Sequence, residues 1–241
     1  MFTENHFIWL AICAAVIGVM LFGALKFKIS FKTAVYITSI VCVASEMCKI
    51  FTHIDPVENA DGEVIGGVLS PGALPFHLCS ILIFLIFNLL IAKSEKVIEW
   101  LKSFIVPVAI LGGIMALLVP TSGVDFAQPY AYQCFVYHSI LIWFGLYLIT
   151  TKRVDLSLRS YARNMGFLVL LMFLMIWVNS ALSIYETNFL YLVKPPMDSL
   201  PILNMNNGWY AYFFSLITVA FTLFTLFHVP FIIRSLKKKT K

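Results

Sequence analysis

The chain has 241 residues, 61% of them hydrophobic and 12% charged, with a mean hydropathy of +0.91. A soluble domain averages about 45–50% apolar and about 25% charged residues, so this composition excludes a water-soluble globular fold and makes the bilayer part of the solvent. The net charge of +5 sits in short loops between apolar runs, which excludes a nucleic-acid surface and reads as membrane topology.

A spanning helix needs roughly 20 apolar residues. On that scale the chain holds seven runs, at 7–25, 31–51, 72–92, 101–119, 131–150, 165–185 and 210–233. The expectation is an all-α polytopic membrane protein with seven transmembrane helices, forming a single domain over residues 1–241. Residues 1–6 are acidic and lack the basic start of a signal peptide, so the first run is read as a mature helix. Lys26, Lys28 and Lys32 follow it. The second run carries Glu46 and Lys49, which share a face at i, i+3 spacing, and leads into Asp55, Glu58, Asp61 and Glu63. The third opens Pro71-Gly72-Ala73-Leu74-Pro75-Phe76-His77-Leu78-Cys79, and Lys93, Lys96 and Lys102 separate it from the fourth. Asp125 precedes the fifth, which carries Gln133, Cys134 and His138; Lys152, Arg153, Arg159 and Arg163 come next. The sixth carries Asn179, and Glu186, Asn188, Lys194 and Asp198 lie beyond it. Asn206-Asn207-Gly208-Trp209-Tyr210 open the seventh, and the tail holds Arg234, Lys237, Lys238, Lys239 and Lys241.

All basic residues but Lys49 and Lys194 fall in alternate connections. The positive-inside rule then puts the N-terminus outside, the C-terminus in the cytoplasm and the protein in the cell membrane as a multi-pass chain. All five cysteines (Cys13, Cys42, Cys48, Cys79 and Cys134) lie in apolar runs with no CxxC pair, which argues against a disulfide framework or a zinc ribbon.

Ionisable groups at membrane depth are functional candidates, because lipid makes them costly. At about 1.5 Å rise per residue, Glu46, His77, His138 and Asn179 all fall roughly 7–11 Å below the outer boundary. Four helices placing polar groups at one level is the mark of a shared site. Each group also has a plainer reading: Glu46–Lys49 as a structural pair, Asn179 as interhelical glue, Trp209 and Tyr210 as interfacial belt residues, Cys79 as a small buried hydrophobe.

Cys79 as a nucleophile needs a base. His77, two residues away, would point about 200° off on a helix, so His138 is the better partner. Cys134 with His138, at i, i+4, is a rival dyad. Cys79 ranks first because it starts a helix, where the dipole favours a thiolate. Glu46, His77 and His138 as metal ligands lack any HExxH-like spacing; no metal and no cofactor are expected.

The string Leu74-Pro75-Phe76-His77-Leu78-Cys79, the isolated His138, the 188–195 stretch and Asn207-Gly208-Trp209-Tyr210 resemble the YwaF-like bacterial membrane proteins, whose animal relatives are the transmembrane-164 proteins. The likeness runs from the second helix to the seventh; the stretch Asn206-Asn207-Gly208-Trp209-Tyr210 lacks the prolines that the family carries before its seventh helix. The resemblance implies a cysteine-dependent acyltransferase or lipid hydrolase, with Cys79 as the acyl-accepting nucleophile and His138 as its base. His77, Glu46 and Asn179 would orient groups or supply oxyanion donors. Lys49, Asn188, Lys194, Asn207, Trp209 and Tyr210 complete the expected binding set, with membrane lipids as partners and a phospholipid as the candidate substrate. The alternative is a carrier or receptor-like protein that holds a small solute or ion at the same level. The seventh run has no lysine before its tail for a retinal Schiff base. A third reading is a non-catalytic assembly factor. Acyl donor, acceptor and oligomeric state are left open.

Overall fold

The computed structural model describes residues 2–197 and 200–239; Asp198 and Lys241, counted in the charge pattern above, lie outside the described residues. Among the described residues seven α-helices run in order: α1 (Glu4–Lys26), α2 (Phe31–Thr52), α3 (Leu78–Ile91), α4 (Glu95–Leu118), α5 (Pro129–Thr150), α6 (Leu158–Ala181) and α7 (Gly208–Lys239). Between α2 and α3 lies an antiparallel hairpin, β1 (Ile54–Glu58) and β2 (Val64–Leu69), paired from Ile54↔Leu69 to Glu58↔Val64. The acidic loop expected there is thus partly ordered as strand. Its turn is closed by Asn59, whose side-chain oxygen accepts from the amides of Asp61 (3.0 Å) and Glu63 (2.9 Å), and by Gly62 at φ +81°, a conformation that glycine adopts without steric cost.

Among the described residues, six helices are long and apolar enough to cross a membrane. The exception is α3, whose 14 residues extend about 21 Å against a hydrocarbon core of about 30 Å. The apolar run begins at Gly72, but two prolines delay the helix. Ser70 and Leu74 precede Pro71 and Pro75 and take extended ψ values of 126° and 150°, because a proline ring clashes with a helical residue before it. Residues Pro71–Ala73 make a single 3-10 turn, and His77 is the extended N-cap of α3 (φ −70°, ψ 149°). Conversely, α4 and α6 start six and seven residues earlier than their apolar runs, so Lys96, Lys102, Arg159 and Arg163 are helical rather than in loops. Lys102 is buried, paired with Glu99 and set over the Phe31 ring.

At the centre stand α4 and α5, whose most apolar windows are 67% and 72% buried, against 17% for α1 and 11% for α7. Two glycines let them meet closely. A Cβ on Gly113 would lie 2.6 Å from Ile142 Cγ1 and 3.2 Å from the His138 carbonyl; one on Gly145 would lie 2.6 Å from Ile110 Cγ1. Each glycine is the socket for an isoleucine of the other helix, which is how small residues bring membrane helices into contact. α1 is tied to the same end as the C-terminus of α4: His6 Nε2 donates to the Leu117 carbonyl (2.8 Å) and Trp9 Nε1 to that of Val124 (3.2 Å). At the opposite end Tyr147 donates to the Ile29 carbonyl (2.9 Å), and Arg163 and the Asn164 amide donate to Ser103 (2.8 and 2.7 Å). The basic connections gather at that second end. The first end holds the polar cluster.

Candidate active site at the polar end of the bundle

A cavity of about 460 Å³ opens at the polar end, bounded by α2, the start of α3, α4, α5 and the strap between α6 and α7. Glu46, Lys49, His77, Cys79, Cys134 and His138 all line it. From α2, Lys49 Nζ lies 2.7 Å from Glu46 Oε1 and donates to Ser80 Oγ at 3.0 Å. That bond fixes the ammonium beside the first turn of α3. His53, one turn on, returns Nδ1–H to the Lys49 carbonyl (2.9 Å).

Cys79 is the second residue of α3 and half-buried. The first helical bond of this end runs from the Ile81 amide to the His77 carbonyl (3.0 Å), so the amides of Leu78, Cys79 and Ser80 precede the ladder. Those of Cys79 and Ser80 lie near the Cys79 sulfur, as does the Lys49 ammonium, within a turn that is otherwise buried in apolar surroundings. Tyr137 of α5 donates to the Cys79 carbonyl at 2.6 Å, which locks this turn against the helix that carries His138.

His77 is not helical, so the argument that turned it away from Cys79 does not apply. Its ring lies against Phe189 (5.3 Å) and Tyr191 (5.4 Å), facing the cavity. His138 is buried, and its Nδ1 lies 2.7 Å from the Cys134 carbonyl and 3.6 Å from the Cys134 sulfur. A carbonyl oxygen can only accept, so Nδ1 carries the proton and the lone pair is on Nε2. Cys134 thus faces the nitrogen that already carries its proton, and the lone pair of Nε2 is the one left for another donor. Among the described residues nothing hydrogen-bonds Nε2, and no three His, Cys, Asp or Glu side chains form a group that could hold a metal ion. Glu46, His77 and His138 therefore do not make a three-ligand site.

The other expected residues lie outside the cavity lining. Asn179 is buried and brackets Phe189, donating to its carbonyl (3.0 Å) and accepting from its amide (2.8 Å). Asn188 accepts from the amides of Val193 and Lys194 (3.0 and 3.2 Å) and donates to the Lys194 carbonyl (2.8 Å). Trp209 donates to the Leu192 carbonyl (3.2 Å), and Tyr212 to that of Tyr191. Together they hold the strap 188–194, in which Leu190 (φ 57°) and Tyr191 (φ 55°) are both left-handed, a conformation that costs of order 1–3 kcal/mol per non-glycine residue and persists only where the surroundings impose it. Lys194 is exposed, 3.8 Å from Glu186; Asn207 and Tyr210 are exposed at the start of α7.

What the strap delivers is Tyr191, whose ring enters the cavity beside His77 and whose phenol is pushed above its ordinary pKa by burial. Tyr191 remains a proton donor at neutral pH. Tyr130, Tyr137 and Ser80 also line the cavity without having been singled out in the sequence. Tyrosine and serine are ordinary within apolar runs, and only the packing marks these three.

Helices of this length around a cavity with a polar mouth define an all-α, multi-pass integral membrane protein. The family model of the TMEM164 family matches residues 1–228, and the chain belongs to that family. No curated protein and no solved structure matches it.

Proposed function

We propose that the protein is an integral membrane acyl-transfer enzyme acting on phospholipid acyl esters, with Cys79 as nucleophile and His138 as general base. The observation that carries the reading is the placement of Cys79. Its thiol sits in the first turn of α3, on a cavity that His138 also lines, with Nε2 free of hydrogen bonds among the described residues. His138 Nε2 takes the thiol proton, and the thiolate attacks the ester carbonyl carbon. The amides of Cys79 and Ser80 are the nearest donors for the resulting oxyanion, with the Lys49 charge adding to the field. As the C–O bond breaks, the imidazolium returns its proton to the departing alkoxide, leaving a thioester. An acceptor hydroxyl then gives its proton to Nε2, attacks the thioester and releases the thiolate. Water as acceptor makes the same site a lipid hydrolase. On the positive-inside rule the proposed site lies in the outer half of the cell membrane, with the N-terminus outside.

The test is turnover of a phospholipid labelled in its acyl chain by purified protein. Cys79→Ala and Cys79→Ser are expected to abolish transfer, and His138→Gln to lower it by about 10²–10⁴-fold, the usual contribution of a general base. Full activity of folded Cys79→Ala protein sinks the proposal. A solute carrier would leave the lipid intact in every variant.

A further inference from the structure

The cavity is deeper than the polar cluster needs. Glu46, Lys49, Thr121, Gln133 and His138 line it only near the polar end. Further in, its boundary is Val108 and Gly112 of α4, Leu141 of α5, Leu168 of α6 and Leu223 of α7, with no polar side chain among the lining residues at that depth. Along α4 the lining runs from Val119 to Val108, about 16 Å at the helical rise. This equals about half of a 30 Å hydrocarbon core, one leaflet. The volume of about 460 Å³ falls within the roughly 300–1,000 Å³ of small-molecule sites.

The two sides of this slot differ. One is the close-packed pair α4 and α5; the other is α6 and α7, whose apolar windows are only 22% and 11% buried. A rigid wall faces a lightly packed one that borders lipid. We infer that the slot takes a single acyl chain standing upright from the Cys79 level, admitted on the α6–α7 side, and that Gly112 sets the length it accepts. Gly112 lines the slot, and a Cβ there would meet nothing within 4 Å. Its neighbour Gly113 is already filled by Ile142. Gly112 precedes Gly113, whose Cβ would lie 3.2 Å from the His138 carbonyl, so it stands just below the level of His138, where added bulk shortens the slot beneath Cys79 without disturbing the α4–α5 contact. The inference rests on the acyl-transfer reading for the head group placed at Cys79.

The experiment uses the full chain in lipid nanodiscs with two phospholipid probes, one bearing a photoreactive diazirine at the acyl terminus and one near the ester. In the native protein the terminal probe is expected to label peptides around Val108, Leu168 and Leu223, and the ester-proximal probe those around Leu82 and His138. In Gly112→Phe the deep labelling is lost while the proximal labelling stays, and preference shifts from stearoyl towards decanoyl esters by at least about tenfold, the scale at which a filled apolar pocket discriminates. Cys79→Ala separates the two ideas. Deep labelling that persists in a Cys79→Ala protein still able to turn over lipid keeps the slot and removes the thioester chemistry. Terminal labelling spread over the lipid-facing side chains Phe173 and Trp177, and unchanged by Gly112→Phe, overturns the slot.

Discussion

Lys49 and Glu46 hold their charges where lipid depth makes an unpaired ion costly. The 2.7 Å ion pair, with side chains 12% and 22% exposed, is completed by Ser80 Oγ. Removing one partner of a buried pair costs about 3–5 kcal/mol, while replacing both by apolar groups is often close to neutral. Lys49→Met is therefore expected to lower the thermal midpoint sharply, and adding Glu46→Leu to restore most of it, as a double-mutant cycle read by thermal unfolding in detergent will report. If the pair also supports the Cys79 thiolate, the stable double variant remains slow in acyl transfer. Equal activity of native and double-variant protein would make the pair structural alone. His138 carries the other argument at this scale. Its value as a base depends on which ring nitrogen is free, and the Cys134 carbonyl decides that. The i, i+4 spacing of Cys134 and His138 reads as a dyad in the sequence; in the fold the two meet through Nδ1, which is also bonded to the Cys134 carbonyl.

Among the elements, the strap 188–194 and the first turn of α3 matter most. The strap has two left-handed residues and no regular ladder beyond one 3-10 turn, so its shape is imposed by Asn179, Asn188, Trp209 and Tyr212. Asn179→Leu leaves the buried Phe189 amide without a partner, at about 1–3 kcal/mol, and its carbonyl with only the 3.4 Å bond from the Leu192 amide. The expected result is faster hydrogen exchange across 188–194 and weaker acyl transfer, with exchange in α4 and α5 unchanged; uniform loss of protection throughout the bundle would refute a local role. Asn179 was read as interhelical glue or as an orienting group. It brackets Phe189, two residues before the cavity-lining Tyr191. The start of α3 was readable in part: Pro71 and Pro75 are visible, and they turn Ser70 and Leu74 away from helix. Apolar continuity through residues 72–77 hid the consequence, because hydropathy does not register a missing amide.

At the scale of the whole molecule, alternation of the helices puts the basic connections at one end and the cavity, the hairpin and the N-terminus at the other. We propose, on the positive-inside rule, that the basic end faces the cytoplasm. A cysteine introduced at Ala60, in the hairpin turn, is expected to react with an impermeant thiol reagent in intact cells, while a reporter fused after α7 is active only as a cytoplasmic protein. Labelling of Ala60→Cys only after permeabilisation would invert the assignment and move the cavity to the inner leaflet.

Class, helix order and the segregation of charge were written in the sequence, because length, hydropathy and lysine placement are local properties that the bilayer reads segment by segment. So was the nomination of Glu46, His77, Cys79 and His138, since ionisable groups stand out against apolar runs. Their convergence on one cavity needed the tertiary structure. Asn179, Asn188 and Trp209 went to the supporting strap, Tyr137 and Tyr191 to the lining, and Gly112 to open space beside a filled Gly113. A side chain's neighbours on other helices follow from close packing and backbone bends, and no periodicity along the chain encodes those.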